Sequence, residues 1–213
     1  MSDYSIKVTN KSGAPQKIAI YQQYPDVVAG LPLVWILKNV NKGNDTTFSW
    51  SVTWALNWGT SDDVLAPGVK WKSGGPLQSM NPATQGGNNE MGITYSNGEF
   101  STNPEAFNNS NVKPGDMLVT TDTSFTVADA KLMSIAAYMN GLPALAVQGK
   151  PNGKYNFHTH PQYWICTTDS DQSVAISDDF VTNPINVTFA SGVTSLSYEL
   201  NDELIFVPVV PTA

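Results

Sequence analysis

His158 and His160 stand two residues apart, and they are the first residues whose type and spacing suit chemistry. Alternate side chains along a strand share a face, so both rings would offer a nitrogen to one metal ion. Asn156 falls on that face, while Tyr155, Phe157 and Thr159 take the other. No third ligand lies close by in the chain. The plainer reading is a polar outer strand face that stops before Pro161. Asp169-Ser-Asp-Gln-Ser173 begins like a calcium loop, but Val174 stands where the sharp turn needs Gly and Phe180 where the bidentate Glu belongs. A solvated turn is expected there, and exposed acidic turns at Asp62-Asp63 and Asp178-Asp179. Cys166 sits in the apolar run Tyr163-Trp-Ile-Cys-Thr with no positive charge beside it, which describes a buried, inert thiol. The chain carries no Gly-x-Ser-x-Gly elbow, no phosphate loop, no His-Glu-x-x-His helix and no Cys-x-x-Cys pair. The expectation is a protein that is not an enzyme and uses no cofactor.

Aromatic rings are the other candidates. Phe48, Trp50, Val52, Trp54, Leu56 and Trp58 share one parity, and Ser49, Ser51, Thr53, Ala55 and Asn57 the other. A strand over 48–58 would have one large apolar face and one small, mostly polar face. Such a row serves either as core or as a flat platform for sugar rings or lipid headgroups. Core is expected for Trp50 and Trp54, with the small face exposed or covered by a partner subunit. Trp35, Trp58 and Trp71, nearer to strand ends and loops, are the tentative binding residues.

The elements that must position these residues are strands. Ser5–Asn10 and Lys17–Gln22, joined by turn residues, suggest an N-terminal hairpin. Leu33-Val-Trp-Ile-Leu suggests a buried strand. Asn97-Gly98, Asn140-Gly141 and Asn152-Gly153 each suit the type I′ turn of a two-residue hairpin, so 133–167 is expected to form a meander of three or four antiparallel strands. Three further strands follow near 185–189, 196–200 and 204–207. Residues 73–90 and 101–115 are the two long loops. One or two helical turns are expected near Val127–Leu132. The expected fold is all-β: one domain over 1–213, an antiparallel β-sandwich of jelly-roll type, with a closed barrel as second choice.

Composition narrows the partners. There are 11 lysines and no arginine against 18 Asp and Glu, with a net charge of −7. Without the guanidinium fork, and with that charge, nucleic acid is not an expected partner. No stretch reaches the ~18 apolar residues of a membrane helix, and the start lacks a basic segment followed by an apolar run. The expected location is the cytoplasm, or export without a cleavable signal peptide. Charged residues are only 14%, so amides and hydroxyls supply the polar surface. Such surfaces are common on sugar-binding and self-associating β proteins.

Several short segments resemble the RhiA family of small rhizosphere-expressed bacterial proteins. They are Val8-Thr-Asn-Lys-Ser-Gly, Ala19-Ile-Tyr-Gln, Leu33-Val-Trp, Thr47-Phe-Ser-Trp, Val64-Leu-Ala-Pro-Gly-Val and His160-Pro-Gln-Tyr-Trp-Ile. The resemblance implies an abundant leaderless bacterial protein, under population-density control and made in association with a plant host. It implies no known reaction and carries over no catalytic residue. His158 lies outside the matching segment, and the Asn-rich loops at 80–111 are longer than the resemblance implies. The expected function is therefore interaction or self-association, with self or a glycan as partner. The alternative is a lectin-like or membrane-surface binder using exposed aromatics.

Overall fold

A computed structural model of the chain describes residues 3–27, 29–84, 88–103 and 112–209. Among these, the strands are β1 (Asp3–Asn10), β2 (Gln16–Gln23), β3 (Gly30–Pro32), β4 (Val34–Val40), β5 (Asp45–Ser51), β6 (Trp54–Thr60), β7 (Lys72–Ser73), β8 (Gln78–Met80) and β9 (Glu90–Ser96). They continue with β10 (Glu99–Asn103), β11 (Asp116–Thr121), β12 (Met133–Met139), β13 (Leu142–Gln148), β14 (Lys154–His158), β15 (Gln162–Thr167), β16 (Thr182–Val187), β17 (Ser195–Leu200) and β18 (Phe206–Pro208). The helical content described is two 3₁₀ turns, Asp129–Leu132 and Asp178–Phe180. The fold is all-β and sandwich-like.

The strands form sheets ordered β18-β17-β1-β5, β16-β15-β2-β4, β3-β13-β12-β6-β7 with β8 also on β6, and β10-β9-β11-β14. Most pairings are antiparallel, but β1 runs parallel to β17 and β9 parallel to β11. One core draws on all four sheets, including Ile6, Ile18, Trp35, Phe48, Leu56, Met91, Met117, Ile135, Phe157 and Ile165.

The expected N-terminal hairpin does not form. β1 pairs with β5 and β17, whereas β2 pairs with β4 and β15. Ile6 and Val8 enter the core from one sheet, and Ile18 and Ile20 from another. The arch between them is built on buried Asn10. Its Nδ2 donates to the carbonyls of Ala14 and Val40, and its Oδ1 accepts from the backbone N–H and hydroxyl of Ser12. Buried polar groups need such partners, so this side chain fixes the crossing.

The tryptophan-rich stretch is also divided. It breaks at Val52-Thr53, where the Thr53 N–H bonds back to the Ser51 carbonyl, and β5 and β6 join different sheets. The inward parity survives the break, with Phe48, Trp50, Trp54 and Leu56 all in the shared core.

Two of the three Asn-Gly turns close hairpins. Asn97-Gly98 and Asn140-Gly141 have positive φ at both residues and join β9 to β10 and β12 to β13. The third does not: β14 leaves it to pair with β11 in another sheet, and β15 goes to a third. The expected meander over 133–167 thus shrinks to one hairpin. The stretch expected to be a long loop from 73 holds β7 and β8, both paired with β6. Residues 85–87 and the Asn-rich segment 104–111, within the two long loops, lie outside the described residues.

A strap covers the outer sheet faces. Residues 66–71 and 173–176 bond to each other and to the backbone of Pro32 and Val34. They carry Trp71 and Ala175 onto Ala55, Ala136 and Tyr138, and Ile176 onto Ala19, Tyr21 and Cys166.

Candidate functional site

The residues singled out in the sequence go to different places. Trp35 is fully buried and its indole N–H donates to the Met139 carbonyl at 3.0 Å. Trp71, carried by the strap, is buried against the sheet, edge-on to Tyr138. Trp58 is half-buried. A Cβ on Gly74 would stand 2.1 Å from its ring, so that glycine backbone lies against the indole, with Phe100 also in contact. Trp35 and Trp71 therefore offer no face to a ligand, and Trp58 only part of one.

The two histidines do not share a strand face. β14 ends at His158, whose Nδ1 lies 2.6 Å from Asp116 Oδ1 on the paired strand β11. His160 lies beyond the strand and lines a cleft elsewhere. Among the described residues, no three His, Cys, Asp or Glu side chains gather as a metal site. The calcium-like loop is tied by Lys17, whose ammonium bonds the Asp169 carbonyl and Asp171 Oδ1, each at 3.1 Å. That hydrogen bond and charge hold the Asp171 carboxyl below its usual range. Cys166 is fully buried, and burial pushes its thiol up to about 12, so it stays protonated and unreactive.

What the fold assembles instead is an aromatic cleft of about 460 Å³, within the usual range of small-ligand sites. Three sheets meet there. β1 contributes Tyr4, β6 its first residue Trp54, and β15 Gln162 and Tyr163. The end of β16 adds Asn186 and Val187, with Phe189 just beyond, and His160 and Pro161 lead into β15. The rings support one another. Tyr4 stacks on buried Trp50 with centroids 6.0 Å apart and meets Phe189 edge-on at 4.9 Å. Tyr163 packs against Trp50 at 5.2 Å and edge-on to Phe189 at 6.2 Å. Edge-to-face contacts of this kind fix ring orientation beyond simple burial. Burial pushes the Tyr163 hydroxyl up to about 12, so it remains a neutral donor, directed at Met139 Sδ.

The rim is polar and its lining includes no Asp, Glu or Lys. The Asn186 amide is held by the Tyr163 carbonyl and the Thr188 hydroxyl, and the Thr159 hydroxyl donates to the Gly115 carbonyl. Gln162 is exposed and its side-chain amide makes no hydrogen bond among the described residues.

A family model described as RhiA matches residues 1–208. The chain belongs to the RhiA family. It is 25% identical over 206 residues to Protein RhiA of Rhizobium leguminosarum bv. viciae, spanning 95% of this chain and 84% of that one. No solved structure gives a significant match. The RhiA-like segment His160–Ile165 supplies one wall of the cleft. Tyr4, Trp54, Gln162, Asn186 and Phe189 were not singled out as binding residues in the sequence. They come from segments as far apart as 4 and 189, and no local spacing links them. Of the candidates read from the sequence, only His160 lines this cleft. Among the described residues, no helix is long and apolar enough to cross a membrane.

Proposed function

We propose that this RhiA-family protein is not an enzyme and works by an interaction, made at the aromatic cleft, with a neutral carbohydrate as the ligand class. The observation that carries this reading is the cleft itself: flat rings beside amides and hydroxyls. Sugar faces stack on rings, and their hydroxyls pair with amides. A site without a fixed charge suits a neutral ligand. The resemblance to a rhizosphere protein adds a setting, host-associated bacterial growth, in which plant and microbial glycans are at hand.

The test is a glycan array at neutral pH, with and without calcium, on the wild type and on Gln162→Ala and Phe189→Ala. Binding to one glycan class, cut at least tenfold in both variants while their circular dichroism is unchanged, is the expected result. A blank array overturns the glycan reading.

A second reading, self-association, has its own support. Ile205, Val207 and Val209 are 46%, 47% and 42% exposed around β18, which is an edge strand. An apolar row on a sheet edge is a surface for a second copy. Light scattering at physiological salt should then show assemblies that Val207→Lys disperses. A monomer at all concentrations would eliminate this reading.

A further inference from the structure

A second cleft, separate from the aromatic one, has a different chemistry. It is an open groove of about 760 Å³ between the loop after β2, the 3₁₀ turn at 129–132, β13 and β14. Its apolar lining includes Val27, Val64, Val127, Ala130, Val147 and Tyr155. Val127 is 73% exposed and Val64 40%. The exposure of Val127 is built in. Thr126 and Asp129 bond each other reciprocally: the Thr126 N–H and hydroxyl donate to Asp129 Oδ2, and the Asp129 N–H donates to Thr126 Oγ1. Gln148 Nε2 then ties the turn to β13 through the carbonyls of Ala130 and Met133. A turn held in this way keeps Val127 in water beside half-exposed Val64, at the rim of an apolar groove.

Charge names the occupant. Lys131, Lys150 and Lys154 all line this cleft, three of the chain's 11 basic residues in a protein of net charge −7. None of the three makes an ion pair among the described residues, so their ammonium groups are open to an anionic ligand. Asp26 is the single acidic lining residue.

We infer that this cleft binds a free long-chain carboxylate, with the alkyl chain along Val27, Val64 and Val127 and the carboxylate among the three lysines. The size lies within the usual range for small-ligand sites. Each further buried methylene should tighten binding roughly fourfold.

The test is calorimetric titration of the whole protein with dodecanoate below its micelle concentration, and with tetradecanoate and dodecyltrimethylammonium for comparison. Saturable 1:1 binding is expected, tighter for tetradecanoate and absent for the cation. Val127→Asp, an exposed position that leaves the core intact, should weaken it at least tenfold. Lys150→Glu combined with Lys154→Glu should do the same, with unchanged thermal midpoints. No saturable binding, equal binding of the cation, or indifference to Val127→Asp would each overturn the inference. Binding to anionic phosphatidylglycerol vesicles without binding to the monomeric carboxylate would overturn it too.

Discussion

β5 and β6 are two halves of one alternating stretch, and the fold treats their small faces in opposite ways. On β5, Thr47 and Ser49 face water while Phe48 and Trp50 fill the core. On β6, Trp54 and Leu56 fill the same core, but Ala55, Asn57 and Gly59 are buried as well. The reason is the strap, which lays Trp71 over β6. The expected exposure of the small face thus holds for β5 and fails for β6. Its cover there is the chain's own strap. The lesson is that alternation identifies the face that must be buried and leaves the other open. Small residues suit water, and they also suit the close approach of a second layer.

Substitutions on the two halves should separate sharply. Gly59→Ala is the harshest, because its Cβ would lie 2.0 Å from the Lys72 carbonyl and 2.5 Å from the Trp71 ring. Displacing both should cost about 3 kcal/mol, read as a fall in the urea midpoint. If Gly59→Ala is as stable as wild type, the strap does not seal β6 and the comparison fails. Asn57→Ala comes next. Its Nδ2 donates to Ser73 Oγ and the Gly75 carbonyl, and its Oδ1 accepts from the Trp58 N–H. Losing these bonds to half-buried and exposed partners should cost about 1 kcal/mol and loosen β7, with faster amide exchange at Ser73–Gly75.

Ser49→Ala, on the open face of β5, should change stability by no more than ~0.5 kcal/mol. Asp45, at the start of β5, gives the smallest effect. Its hydrogen bond and charge contact with Lys7 hold its carboxyl below the usual value of 3.8. A depressed folded-state pKa adds stability that is present above the unfolded value and lost as pH falls through the folded one. Asp45→Asn should therefore lower the thermal midpoint slightly at pH 7 and leave it unchanged at pH 2, less so in high salt. A larger shift than that of Asn57→Ala would mean that the edge of β5 is not open to solvent.

The sequence by itself determined the all-β class, the inward parity of the tryptophan stretch, the 3₁₀ turn near Val127–Leu132 and the hairpins at Asn97-Gly98 and Asn140-Gly141. Each of these rests on side-chain alternation or on turn chemistry within a few residues, which are local properties. Tertiary structure alone decided that Asn10 carries an arch between sheets, that the chain changes sheet after Asn152-Gly153, and that Trp35 and Trp71 are sealed inside. It also decided that Tyr4, Trp54, Tyr163 and Phe189 meet. Those outcomes depend on which distant strands pair and which loops lie over them. A turn sequence sets the backbone angles of two residues, but the partner of the next strand is chosen by burial across the whole core.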